Sequence, residues 1–172
     1  MAGTLTINSN GDGSILSGHS WIEFTPDGGS ATSYGTWGNN PDGAGNGLLQ
    51  NTEIKFNMVG EATRKVHLDD AQEKKLMVTI EAYQKKGDDG WKMLNPCSGF
   101  AAEAWENATG ESLSHRSGII SNPSKLKASI VAANAGDLRR AKLPDVKPAP
   151  ARDNSSRRRW NSSVQPCAGA RK

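Results

Sequence analysis

The chain has 172 residues, 35% of them hydrophobic, with 19 glycines, which fits one domain with its own core and many loops. No run approaches the ~18 apolar residues of a membrane helix, which excludes stable membrane insertion, and two cysteines far apart, Cys97 and Cys167, do not make a disulfide framework. The formal charge of +3 divides unevenly: residues 1–138 hold eleven Lys/Arg against sixteen Asp/Glu, while ten Lys/Arg face only Asp145 and Asp153 from Arg139 onward, and the acidic body excludes a nucleic-acid partner.

The first half reads as strand. "TLTIN" (3–7) alternates Leu5 and Ile7; "HSWIEFT" (19–25), "PDGGS" and "ATSYGTW" (31–37) make a hairpin with turn chemistry in its middle. After a second Gly/Asn-rich loop, "EIKFNMV" (53–59) places Ile54, Phe56 and Met58 on one side of a strand, and "RKVHL" (64–68) is another short strand. The Asp-Gly loops around Asp12, Asp27 and Asp42 fit turns and lack the spaced carboxylates of a calcium loop.

The second half reads as helix. Asp69 with Gln72 forms a capping box, after which Leu76, Ile80 and Tyr83 recur at helical spacing until "KKGDDG". Asn95 as cap and Pro96 in the first helical position start the next helix, whose stripe is Phe100, Ala101, Ala104, Trp105 and Ala108, and Gly110 ends it. Asn122 and Pro123 repeat the device for a last helix that buries Leu126 and Ile130 and stops at Gly136. Residues 1–138 are thus one folded domain, and 139–172 a basic Pro/Ser/Arg-rich tail that cannot bury enough apolar surface to order, either a solvated terminus or an anchor for an anionic surface.

Cys97 shares a helical face with residues 101, 104 and 108, so it points inward toward the sheet. In the first helical turn, unpaired N–H groups and the helix dipole favour the thiolate. It reads as a nucleophile or as a buried core residue. Of the three histidines, His19 opens a strand right after Gly18 and is the candidate base. His67 alternates away from Val66 and Leu68, and His115 lies in a polar link. No Cys/His pair has zinc-ligand spacing, so neither a metal nor an organic cofactor is expected.

"GHSWIEFTPDGGSATSYGTWGN", "LDDAQEKKLMVTIEAYQ", "NPCSGFAAEAW" and "SNPSKLKASI", in that order over about residues 15–131, resemble the cysteine hydrolase effector and toxin domains found with type VI secretion systems. Those domains look like circularly permuted relatives of the NlpC-type cell-wall peptidases. The resemblance implies an α+β, papain-like fold with an antiparallel sheet packed against helices, Cys97 as nucleophile and His19 as general base. It further implies an antibacterial hydrolase that cleaves an amide of peptidoglycan peptides, with a cognate immunity protein and a spike or tube protein as secretion carrier. The chain's start, "MAGTLTINSNGDGS", lacks the regions of a signal peptide, which agrees with synthesis in the cytoplasm and injection into a target periplasm. Pro96 between Asn95 and Cys97 departs from the family, where the asparagine usually adjoins the cysteine.

No motif names the residue that orients His19. A tight turn at 27 and 28 sets His19 across from Thr36, with Tyr34 on the same face, so Thr36 is the candidate and Asn39 the alternative; a one-residue change of register substitutes Gly35 or Trp37. Glu23 shares the face but lies about two pleats off, ~13 Å. Trp21, Trp37 and Tyr34 are the candidate substrate contacts, and Trp91 could join them in walling a groove. Two other readings stay open: the same thiol chemistry on a host protein or lipid, and a non-catalytic module that binds anionic polymers through its tail.

Overall fold

The computed structural model describes residues 2–11, 17–38 and 45–142, the side chains of 141 and 142 excepted. Asn39, the loops around Asp12 and Asp42, and the basic tail beyond Lys142 lie outside the described residues. The architecture is α+β, with one antiparallel sheet in the order β4-β3-β2-β1-β5. β1 (Gly3–Asn10) is its spine, paired along its length with β2 (His19–Pro26) on one side and with β5 (Ala62–Leu68) on the other. Leu5 and Ile7 stand opposite Phe24 and Ile22, and strand alternation sends all four to one face. The helices cover that face with Phe100, Ala101, Ala104, Trp105, Leu126 and Ile130, all fully buried.

Local chemistry explains most helix ends. Asp69 accepts from Ala71 and Gln72 N–H while the Gln72 side chain returns to Asp69 N–H, so α2 (Asp70–Lys86) begins at the expected capping box. The Asn122 side chain accepts from the N–H of Ser124, and α4 (Pro123–Lys142) starts at the second Asn-Pro pair. It does not stop at Gly136: the helix runs six residues further, because one glycine costs only about 1 kcal/mol and nothing after it breaks the turn. Arg64 on β5 ties this helix down by donating to Glu111, Asn134 and Asp137.

The first Asn-Pro pair behaves differently. α3 (Cys97–Thr109) has Pro96 as its cap residue, with extended backbone and no side-chain capping bond. Asn95 is drawn away, because its Nδ2 donates to the Tyr83 hydroxyl at 3.2 Å and that hydroxyl donates to Glu103 at 2.6 Å. Cys97 is therefore the first residue of the helix, and the buried Tyr83 of α2 with the exposed Glu103 of α3 holds the loop before it.

Two readings of the first half are corrected. "EIKFNMV" is no strand: α1 (Thr52–Lys55) is a single helical turn between Asn51 and Asn57, both with positive φ, and Ile54 and Phe56 are exposed. Before it, "GLLQ" forms the edge strand β4 (Gly47–Gln50) against β3 (Thr32–Trp37). The hairpin is also wider than expected. Gly29 N–H bonds to the Pro26 carbonyl in a turn with Gly28 at positive φ, and Phe24 faces Thr32. That register puts Glu23 opposite Ser33 and Ile22 opposite Tyr34.

Replacing Tyr83 with Phe removes the bridge between the half-buried Asn95 and Glu103, which is exposed and turns to water. Urea denaturation is expected to record a loss of about 0.5–1.5 kcal/mol; an unchanged midpoint would mean that the bridge does not hold the loop.

Candidate active site

His19 opens β2 and is 8% exposed; Cys97 opens α3 and is 5% exposed. The thiol lies within hydrogen-bonding reach of the His19 ring, so two residues far apart in sequence meet at one end of the sheet. On the other side of the ring, His19 Nε2 stands 2.9 Å from Glu53 Oε1. With Nε2 taken by the carboxylate, Nδ1 is the nitrogen left for the sulfur. The three residues form a line of thiol, imidazole and carboxylate.

Glu53 is the residue that the sequence concealed. It sits in α1, 1% exposed, and a carboxylate so buried requires donors for its lone pairs. Ser33 Oγ–H donates to Oε2 at 2.8 Å and Trp37 Nε1–H to Oε1 at 2.9 Å. Strand alternation from the Glu23–Ser33 pair puts Ser33, Gly35 and Trp37 on the same face as His19. Gly35 has to be glycine, because a Cβ there would collide with Glu53 Oε1 and crowd His19 Nε2. The Trp37 ring lies over the imidazole with centroids 4.0 Å apart, and Trp21 stacks at 5.6 Å from it.

Burial alone would lower the proton affinity of His19, but hydrogen bonds and charge from Cys97 and Glu53 outweigh it and push its pKa up to about 9. Burial likewise opposes ionisation of Glu53, yet its bonds to His19 and Ser33 and the charge of the imidazolium hold its carboxyl below the usual range. The arrangement favours an imidazolium beside an ionised Glu53, with the Cys97 sulfur on its other side. Chemically, the imidazole can exchange a proton with the sulfur and deliver one beside it. No family model, curated protein or solved structure matches the chain.

The register moves the sequence-named residues. Thr36 falls on the opposite face from His19, where its hydroxyl is buried with no hydrogen-bond partner among the described residues, so it does not orient the ring. Tyr34, opposite Ile22, packs against the core. Trp21 is fully buried with its N–H bonded to Glu23, and it has no surface left for a substrate; Trp37 serves the carboxylate. Glu23 binds Trp21 and Asn8, away from the ring as its spacing implied. His67 pairs with Asp27, and His115 Nδ1 lies 3.1 Å from Ser121 Oγ. The flanking asparagines were the available signal for Glu53, since Asn tolerates positive φ and brackets turns better than strands.

The raised value fixes a pH dependence. Folded His19 binds its proton more tightly than the unfolded chain, so that proton stabilises the fold in full below about pH 6.5 and the contribution is lost as pH rises through about 9. In an NMR titration the His19 ring is expected to change protonation near 9, and Glu53→Gln and Cys97→Ala each move the transition down by removing one supporting partner. A ring that titrates at or below 6.5 in the wild type would contradict the ion pair. Gly35→Ala is expected to push Glu53 off Nε2, lowering the same transition and costing about 1–3 kcal/mol by overpacking. Thermal denaturation beside the titration checks both.

Proposed function

We propose that the protein is a cysteine hydrolase that cleaves an amide bond of peptidoglycan peptides, working as an antibacterial effector on a circularly permuted, papain-like, NlpC-type fold. The observation that carries the hydrolase reading is the line from Cys97 through His19 to Glu53, with the carboxylate fully buried and hydrogen-bonded. The resemblance of the "GHSWIEF", "SYGTW" and "NPCSGF" segments to secreted effector domains supports the substrate.

In this reading the Cys97 thiolate attacks the amide carbonyl and the C–S bond forms as the carbonyl electrons move to oxygen. Backbone N–H groups at the start of α3, which have no helical acceptor of their own, stabilise that oxyanion. The His19 imidazolium then gives its proton to the departing amine, the C–N bond breaks and a thioester remains. Neutral His19 takes a proton from water, hydroxide attacks the thioester, and the thiolate and imidazolium are restored. Glu53 positions the ring and holds its charge throughout. Delivery by a secretion carrier and neutralisation by an immunity protein in the producing cell belong to the same reading.

Purified peptidoglycan digested with the wild type and analysed by mass spectrometry is expected to release fragments whose masses identify the cleaved amide. Cys97→Ala should release none, and His19→Ala should lose about 10²–10⁴-fold in rate. A wall left intact by the wild type would remove peptidoglycan as the substrate.

A further inference from the structure

Beside the Cys97 thiol lies a cavity of about 180 Å³. Its walls are Trp91, Met93, Pro96 and Pro123, with Ser17 and Gly18 beside the histidine strand, and no charged side chain among the described residues lines it. Several walls are fixed. The Trp91 ring lies so close to Gly38 that a Cβ there would collide with it, and the two prolines have restricted backbones. Gly18 has φ +103, and a Cβ on it would strike the Asn10 carbonyl, so the strand enters the site without a side chain of its own to fill the space. Met93 is the adaptable wall: it stands in the Lys92–Asn95 turn, 68% exposed, on an unbranched, polarisable side chain.

The volume limits what can enter. It is smaller than the ~300 Å³ at which sites for drug-sized ligands begin, and close to the ~150 Å³ of an apolar cavity that accepts benzene. A charged group placed there would lose its hydration with no counter-charge among the described lining residues. We infer that this cavity is a specificity subsite, which takes one small uncharged apolar group that the substrate carries next to the carbonyl attacked by Cys97. The inference rests on Cys97 being the nucleophile and adds the chemistry of the neighbouring substituent. An aliphatic amino-acid side chain and the first carbons of an acyl chain share that chemistry.

The subsite can be tested without the natural substrate, using methanethiosulfonates that carry a methyl, propyl, sulfonatoethyl or trimethylammonioethyl group. The Cys97 thiolate attacks the sulfenyl sulfur, a mixed disulfide forms, and methanesulfinate leaves with the electron pair. Modification of Cys97 in the full chain is followed by peptide mass, with each rate divided by that of the same reagent on N-acetylcysteine. The propyl reagent is expected to exceed the methyl one by roughly tenfold, the gain from burying two further methylenes, and both charged reagents should fall below the methyl one. Met93→Asp should bring the propyl rate down to the methyl rate. Equal rates for all four reagents at a reactive Cys97 would overturn the subsite and leave the hydrolase reading intact, whereas a Cys97 that reacts with none would overturn both. The expected selectivity in a protein that leaves peptidoglycan intact would uphold the subsite and remove only that substrate. An extended series of alkyl reagents separates the two sources: rates that peak at three or four carbons favour a side chain, and rates that keep rising favour an acyl chain.

Discussion

A carboxylate that meets no water governs this end of the molecule. Removing an ion from water costs several kcal/mol unless charge and hydrogen bonds replace the lost solvent. Glu53 meets that demand with three partners from two neighbouring strands: His19, Ser33 and Trp37. Each constrains something else. Ser33 and Trp37 can both reach only in the observed hairpin register, Gly35 between them must lack a side chain, and α1 must be a helical turn rather than a strand. The imidazole is thereby held from one side, and Cys97 meets it from the other.

That dependence explains which parts of the molecule were legible in the sequence. The capping box at Asp69, the stripe on α3 and the alternation in β1 and β2 are local patterns, and the structure follows them. Cys97 and His19 were visible because each stands at the start of an element, where its setting follows from a few neighbours. Glu53 was not, since "EIKFN" alternates like a strand and the interactions that decide otherwise come from Ser33 and Trp37, sixteen residues and more away in sequence. Thr36 failed for a related reason: an error of one in hairpin register turns every side chain to the opposite face, and nothing local distinguished the wider turn at Pro26–Gly29 from a tight one.

The two Asn-Pro pairs make the same point with nearly identical sequence. Asn122 has no competing partner among the described residues and caps its helix; Asn95 has the Tyr83 hydroxyl within reach and leaves its own helix without a side-chain cap. The difference matters at the site. Gly99 N–H bonds back to the Pro96 carbonyl, and no side chain caps the N–H groups of Cys97 and Ser98, beside the sulfur at which positive potential from the helix start is of most use. A capping asparagine would have occupied one of those donors.

Two tryptophans flank the imidazole and serve the charge as much as the packing. Trp37 donates to Glu53 and lies over the ring, while Trp21, bonded to Glu23, stacks on it with its plane inclined by only 14°. Aromatic faces near a cation are attractive, and they exclude water that would screen the attraction between the ring and the Glu53 carboxylate. The aromatic residues that look in sequence like walls for a substrate therefore build the electrostatic environment of His19. The surface beside the thiol is left to Trp91, Met93 and the two prolines, so the charge that maintains the ion pair and the apolar surface that would select a substrate come from separate sets of residues.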